Sequence, residues 1–175
     1  NLYLGANFEF NNSSLNFSIH AEQAAISNAW LNAETTIKAI ATSAAPCGHC
    51  RQFLYEVSGE NNLTIVMPES AKSKNISNDI QSLLPSAFGP KELNCEQRLM
   101  QKYEEAINLE LVGNIQDELV LKTLEQAKLS YAPYTKNYAA CLIELRNGTL
   151  LFGRYAENAA HNPSLSAFSS AVSQL

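Results

Sequence analysis

The chain has 175 residues, 46% of them hydrophobic and 17% charged, which suits a packed globular core and excludes intrinsic disorder. Twelve Lys and Arg against seventeen Asp and Glu leave a formal charge of −5 and a pI near 5.2, and the absence of a basic run disfavours nucleic acid as a partner. No apolar stretch nears the roughly 18 residues of a membrane span, and no charged-then-apolar signal segment opens the chain.

Residues 1–10 (NLYLGANFEF) alternate apolar positions up to Gly5 and predict a strand that ends in a turn, followed by an Asn/Ser-rich loop over 11–19. From His20 to about Leu31 the pattern is helical, with Ala24, Ala25, Trp30 and Leu31 available for a buried face. A short β-tolerant run over 37–43 precedes Pro46, which opens a second helix carrying Cys47, Cys50, Phe53 and Leu54 and ending near Gly59. Leu63–Met67 reads as a buried strand stopped by Pro68. The alternation of strands and helices argues for a layered α/β fold.

Residues 70–93 run polar, then helical at DIQSLL, then turn-rich at PSAFGP. Two helices are expected over Cys95–Leu111 and Gln116–Leu129, broken at Gly113. Tyr138–Leu145 and Thr149–Phe152 should form a hairpin around Asn147-Gly148, the strongest short-range turn signal in the chain. There is also an internal echo. LYLGANFE (Leu2–Glu9) matches LLFGRYAE (Leu150–Glu157), and each is followed by an Asn/Ser-rich loop, so a repeated fold unit is expected. Both ends lack a polar fringe, which suggests a fragment of a longer protein.

Four cysteines are too few for a disulfide scaffold, and the Cys47/Cys50 pair at C-x-x-C spacing points to a reducing compartment with a metal or redox site. His20-Ala21-Glu22 followed by Pro46-Cys47-Gly48-His49-Cys50 offers two soft thiolates and one imidazole, the ligand set zinc favours. Cys47 and Cys50 are three apart and would share a face of the helix. At the helix start, the dipole should lower their thiol pKa. Three protein ligands leave a fourth position for water, the mark of a catalytic site, and Glu22 could take that water's proton. A structural zinc would need a fourth ligand, for which Cys95, Cys141, His49 and His161 are candidates without ligand spacing. A redox pair is the third reading.

HAEQAAI, nineteen intervening residues, then PCGHCRQFL, resembles the zinc-dependent cytidine deaminases; the pattern H-x-E…P-C-x-x-C is a general signature of zinc deaminases. GANFEF resembles that family's ribose-gripping strand end, LLPSAFGPKEL its closing segment, and SYAPYTKNYAACLIEL with YAENAAHNP the start of a second deaminase unit. The resemblance implies a three-layer α/β/α sandwich with a mixed sheet, plus an incomplete degenerate second copy. Residues 1–93 would be the catalytic unit, 94–129 linking helices, and 130–175 the start of the second unit. Alignment of Gly5 with Gly153 puts Phe168 opposite His20 and Ser170 opposite Glu22, so no zinc site is expected there.

The resemblance further implies that His20, Cys47 and Cys50 hold Zn2+ and that Glu22 is the proton shuttle of a cytidine or deoxycytidine deaminase. Asn7 and Glu9 would bind the ribose hydroxyl, and the Ala21 backbone the base amide edge. Phe88 would stack on the pyrimidine and His161 would reach the sugar, both in the setting of a homodimer. Arg51 is expected either to donate to a cysteine sulfur or to be a solvated helix charge. A cytoplasmic enzyme of pyrimidine salvage acting on a small nucleoside follows from the same resemblance. Two rivals stand beside it: another zinc deaminase, acting on deoxycytidylate or a nucleic-acid base, and a non-catalytic zinc-stabilised module.

Overall fold

A computed structural model describes residues 1–58, 63–69, 75–102 and 107–175. Helix α1 spans Ala21–Leu31, strand β1 Ala39–Ala41, helix α2 Gly48–Ser58, strand β2 Thr64–Pro68 and strand β3 Asn75–Asp79. Helix α3 follows at Ile80–Leu83, α4 at Glu118–Lys128, the strands β4 and β5 at Ala140–Glu144 and Leu150–Arg154, and α5 at Ala167–Val172. The fold is α/β with a mixed sheet. Strand β1 runs parallel to β2, which demands a helical crossover, and α2 supplies it. Strand β3 then returns antiparallel to β2 over five residue pairs, from Thr64 opposite Asp79 to Pro68 opposite Asn75. Strands β4 and β5 form the expected hairpin, with Gly148 at a φ of +82° in its turn.

One hydrophobic cluster joins the two halves. Ile19, Ala24, Ile26 and Trp30 share it with Phe53, Leu54 and Ile65, and with Tyr131, Ala156, Leu165 and Val172 from the C-terminal part. Helix α1 buries a broader side than its expected face: Ala24 and Trp30 are buried, as are Gln23, Ile26, Ser27 and Ala29, while Ala25 and Leu31 are half-buried.

Three sequence expectations change. Residues 1–7 do not form a strand; only Phe8 pairs, as an isolated bridge with Ile19. The counterpart stretch β5 is a strand because β4 bonds along it, whereas Leu2 and Leu4 remain 87% and 75% exposed. The N-terminal residues are pinned instead to α1 and the turn beyond it. Asn28 Nδ2 donates to the Leu4 carbonyl at 3.3 Å, and the Tyr3 hydroxyl donates to Glu34 at 3.0 Å. The helix expected over Cys95–Leu111 is absent among the described residues, 103–106 lying outside them. Leu99 and Met100 are buried, the Leu99 amide donates to the Glu56 carbonyl, and Arg98 Nη1 donates to the Cys95 and Gln97 carbonyls. Anchoring to the core thus overrides local helical propensity. Strand β3 was hidden in a polar stretch, with one Ile among Asn, Ser and Asp; the expected second helix ends at Ser58, the Gly59 stop lying outside the described residues.

The echo of the sequence is a structural repeat. A Cβ built on Gly5 would meet the Ala21 carbonyl oxygen at 2.3 Å and the Ala25 nitrogen at 2.3 Å. A Cβ on Gly153 would meet Ala167 and Ala171 in the same way, at 2.0 and 2.3 Å. Each glycine therefore lets its segment lie directly against a helix. The bridge Phe8–Ile19 likewise has its counterpart in Ala156–Leu165. The second loop is two residues shorter, which corrects the simple glycine alignment. Ser166, the N-cap of α5, is the counterpart of His20, and Phe168 that of Glu22. Neither offers a zinc ligand or a carboxylate.

Candidate active site

Three local structures bring the ligand set together. His20 is the N-cap of α1, where Gln23 closes a capping box by accepting from the His20 amide at 3.4 Å. The chain leaves β1, passes the buried Pro46, and enters α2 at Cys47, whose carbonyl accepts the Arg51 amide at 3.0 Å. Cys50 follows in the first turn and is fully buried, while Cys47 is exposed. His20 Nδ1 lies 3.5 Å from Cys47 Sγ and 3.3 Å from Cys50 Sγ, and the three ligand atoms all fall within 4.8 Å of one another. Tetrahedral zinc, with bonds of about 2.3 Å to sulfur and 2.0–2.1 Å to nitrogen, sets an N···S separation of about 3.6 Å. The donor set therefore fits zinc in both chemistry and spacing. Among the described residues, no other group of three such side chains converges in this way.

The electrostatics differ from the sequence reading in one respect. Burial, then the Glu22 carboxylate and the neighbouring Cys47, push the Cys50 thiol far up, against the lowering expected at a helix start. A bound cation is what would hold that sulfur as a thiolate. Glu22, whose charge bears on Cys50, lines a cavity of about 1060 Å³ together with Asn7, His20, Ala21 and Cys47. The cavity runs between residues 1–7 and the 36–45 segment containing β1.

The remaining expected residues divide. Asn7 Oδ1 accepts the Ala21 amide at 2.7 Å, which fixes the start of α1 and leaves the Asn7 side-chain N–H groups free to donate into the cavity. The Ala21 N–H is thus already engaged. Glu9 is exposed and does not line this cavity. Phe88 is 46% exposed, with its carbonyl held by Gln52 Nε2 at 2.6 Å. His161 is exposed in a left-handed turn at φ +64°. Neither Phe88 nor His161 lines the cavity.

Arg51 fits neither of its two expected roles. It is half-buried, and its Nε donates to the Pro46 carbonyl at 2.8 Å while Nη1 donates to the Leu83 carbonyl at 3.0 Å. The guanidinium ties the cysteine-bearing loop to the end of α3. His49, named above as a candidate fourth ligand, stacks on the His20 ring with centroids 5.0 Å apart. Its pKa is lowered by burial and by His20, against the pull of Glu22. Its place midway between two converging cysteines was the available signal.

Comparison with known proteins agrees with this geometry. Two family descriptions, each reading "Cytidine and deoxycytidylate deaminase zinc-binding region", match residues 1–66 and 80–175. The chain is 42% identical over 174 residues to a protein named cytidine deaminase from Shewanella loihica, and 44% identical over 174 residues to one from Shewanella sp. strain W3-18-1. Each alignment takes in 99% of this chain and 56% of the relative, so the chain spans about half the length of the curated relatives it matches. A solved cytidine deaminase from Burkholderia pseudomallei is 32% identical with a TM-score of 0.38, over 49% of this chain and 71% of that one. With both stretches matched and a zinc-compatible His/Cys/Cys cluster inside the first, the chain belongs to the cytidine and deoxycytidylate deaminase zinc-binding family.

Proposed function

We propose that the chain carries the metal site of an enzyme that hydrolyses cytidine or deoxycytidine to uridine or deoxyuridine, releasing ammonia. The observation that carries this reading is the convergence of His20, Cys47 and Cys50, with His20 and Cys47 lining one cavity beside Glu22. His20, Cys47 and Cys50 hold zinc. Bound zinc supplies the Lewis acidity that makes water nucleophilic near neutral pH. Glu22, the only acidic residue in the first turn of α1, accepts the proton of the attacking water. It delivers that proton to the pyrimidine ring nitrogen next to the carbon that carries the amine. A second transfer through the same carboxylate lets the amine leave as ammonia. One water is consumed per ammonia released.

Substrate positioning falls to groups around that carboxylate. Asn7, with its oxygen held by Ala21, presents its amide N–H groups to a ribose hydroxyl, and Glu9 accepts from the same sugar. The Ala21 backbone faces the base edge. Phe88 and His161, exposed and outside the cavity, act on the site of a second copy in a homodimer. Residues 1–93 form the catalytic unit, 94–129 the connection, and 130–175 the start of a metal-free second unit. The setting is cytoplasmic pyrimidine salvage. The test is loss of ultraviolet absorbance from cytidine, deoxycytidine and deoxycytidylate on zinc-replete protein, beside a metal count. Turnover of the nucleosides with one zinc per chain is expected. Turnover of the monophosphate alone would overturn the substrate assignment, and bound zinc without turnover of any would overturn the enzymatic one.

A further inference from the structure

The proposed chemistry leaves one buried acid unused. Glu56 sits on the last turns of α2, the helix that carries both cysteines, and is fully buried. An unpaired carboxylate at such a site costs several kcal/mol, so its partners must be accounted for. Its hydrogen-bond donors come from the second unit, while Arg98 of the connecting segment adds an attractive charge. The hydroxyls of Tyr131 and Tyr134 both donate to Oε1, the former at 2.7 Å, and the Ala159 amide donates to Oε2 at 3.1 Å. Asn158 Nδ2 adds a bond to the Gln52 carbonyl one turn earlier on α2, at 3.2 Å. On the other side, the Glu56 carbonyl accepts the Leu99 amide at 3.2 Å. Tyr131 and Tyr134 lie in the SYAPYTKN segment, and Asn158 and Ala159 in YAENAAHN. Those are the stretches that mark the second unit in sequence. In it Ser166 stands where His20 would be and Phe168 where Glu22 would be.

We propose that Glu56 is a positioning residue through which the metal-free second unit sets the pitch and depth of the cysteine-bearing helix α2. This rests on the zinc reading given above. The geometric reasoning is direct. Cys47 and Cys50 are placed by the start of α2 and Glu56 lies two turns further along, so the two ends of one short rigid rod are fixed by different units. Metal–ligand bonds tolerate about 0.2 Å of displacement. A tilt released at the Glu56 end is therefore felt at the sulfurs. Groups hydrogen-bonded directly to metal ligands are commonly worth 10–100-fold in metal affinity, and a residue acting through the helix should reach the lower end of that range.

The test uses the full chain and two readouts besides activity: zinc affinity by competition with a chromophoric chelator, and the thiolate-to-metal and d–d absorption of the cobalt(II)-substituted protein. Glu56→Ala is expected to weaken zinc about tenfold and to shift the cobalt bands. Glu56→Gln, which keeps an acceptor for the two tyrosines, should restore affinity to within about threefold of wild type. Leu151→Ala in β5, which destabilises the second unit's hairpin, serves as the stability-matched control and should leave the cobalt bands in place. Should Glu56→Ala fail to fold, Tyr134→Phe removes one donor and is expected to move the same bands in the same direction. Folded Glu56 and Tyr134 variants with wild-type affinity and unshifted cobalt bands would overturn the proposal. Absence of zinc binding by the wild type would instead overturn the zinc reading beneath it.

Discussion

The two glycines that repeat across the chain allow packing to be separated from chemistry in one experiment. In Gly5→Ala the new Cβ would stand 2.3 Å from the Ala21 carbonyl oxygen and the Ala25 nitrogen, about 1.1 Å inside the 3.4 Å of ordinary contact. Both obstacles are helix backbone, so α1 itself must move. Overpacking of this kind costs about 1–3 kcal/mol. Gly153→Ala makes the same collision with Ala167 and Ala171 of α5 and should cost a similar amount. The difference lies in what each helix carries. Helix α1 holds His20 at its N-cap and Glu22 in its first turn, while α5 presents Ser166 and Phe168 there. A displacement of about 1 Å exceeds the roughly 0.2 Å that metal–ligand bonds accommodate. Urea denaturation of both variants should show matched losses of stability, whereas chelator competition should show zinc weakened at least tenfold in Gly5→Ala alone. Equal zinc affinity in the two variants, or an unchanged urea midpoint in Gly5→Ala, would refute the reasoning.

Further outcomes follow from the site and from the buried acid. Glu22→Gln should keep one zinc per chain by metal analysis and lose about 10²–10⁴-fold in turnover of cytidine, the range for a general acid–base group. Cys50→Ser should abolish stoichiometric zinc by the same analysis, and chelator-treated wild type should match its lowered melting temperature. Asn7→Ala strips the Ala21 amide of its acceptor, with an expected loss of about 1 kcal/mol in urea unfolding and a rise in KM for the nucleoside. Burial raises the Glu56 pKa against the lowering by Tyr134, Tyr131, the Ala159 amide and Arg98. The folded state thus holds the proton more tightly than the unfolded chain, and the stabilisation is complete below about pH 4.3. It is lost as pH rises through the folded value. Urea unfolding from pH 4 upward should therefore show wild type losing stability relative to Glu56→Gln, and parallel profiles would refute this sign.

The site was more legible in the sequence than the framework around it. His20, Cys47 and Cys50 announce themselves because metal chemistry restricts residue type, and Pro46 marks the start of the helix that aligns two of them. The NG hairpin was readable because only certain residues accept its turn. Strand β3 was not, since an edge strand with Asn, Ser and Asp draws its order from pairing with β2 and not from its own alternation. Leu2–Ala6 carries a strand's alternation yet lies along α1, because alternation cannot supply the neighbouring strand that hydrogen bonding requires. Cys95–Leu111 looked helical, but burial of Leu99 and Met100 decided otherwise. The pairing of His20 with Ser166 was obscured by a two-residue difference in loop length, which only the repeated glycine–helix contact exposes. Glu56 gave no local sign at all, as the donors to its carboxylate are 75 or more residues away.

Arg51 and Gln52, adjacent on α2, each grip a carbonyl at or beyond the end of α3: Leu83 for the guanidinium, Phe88 for the amide. The same guanidinium also grips Pro46. Remodelling the 83–88 stretch would consequently tug on the loop that delivers Cys47. The end of α3 and the cysteine-bearing loop are mechanically geared to each other here, and changes to the one should be screened for weakened metal binding at the other.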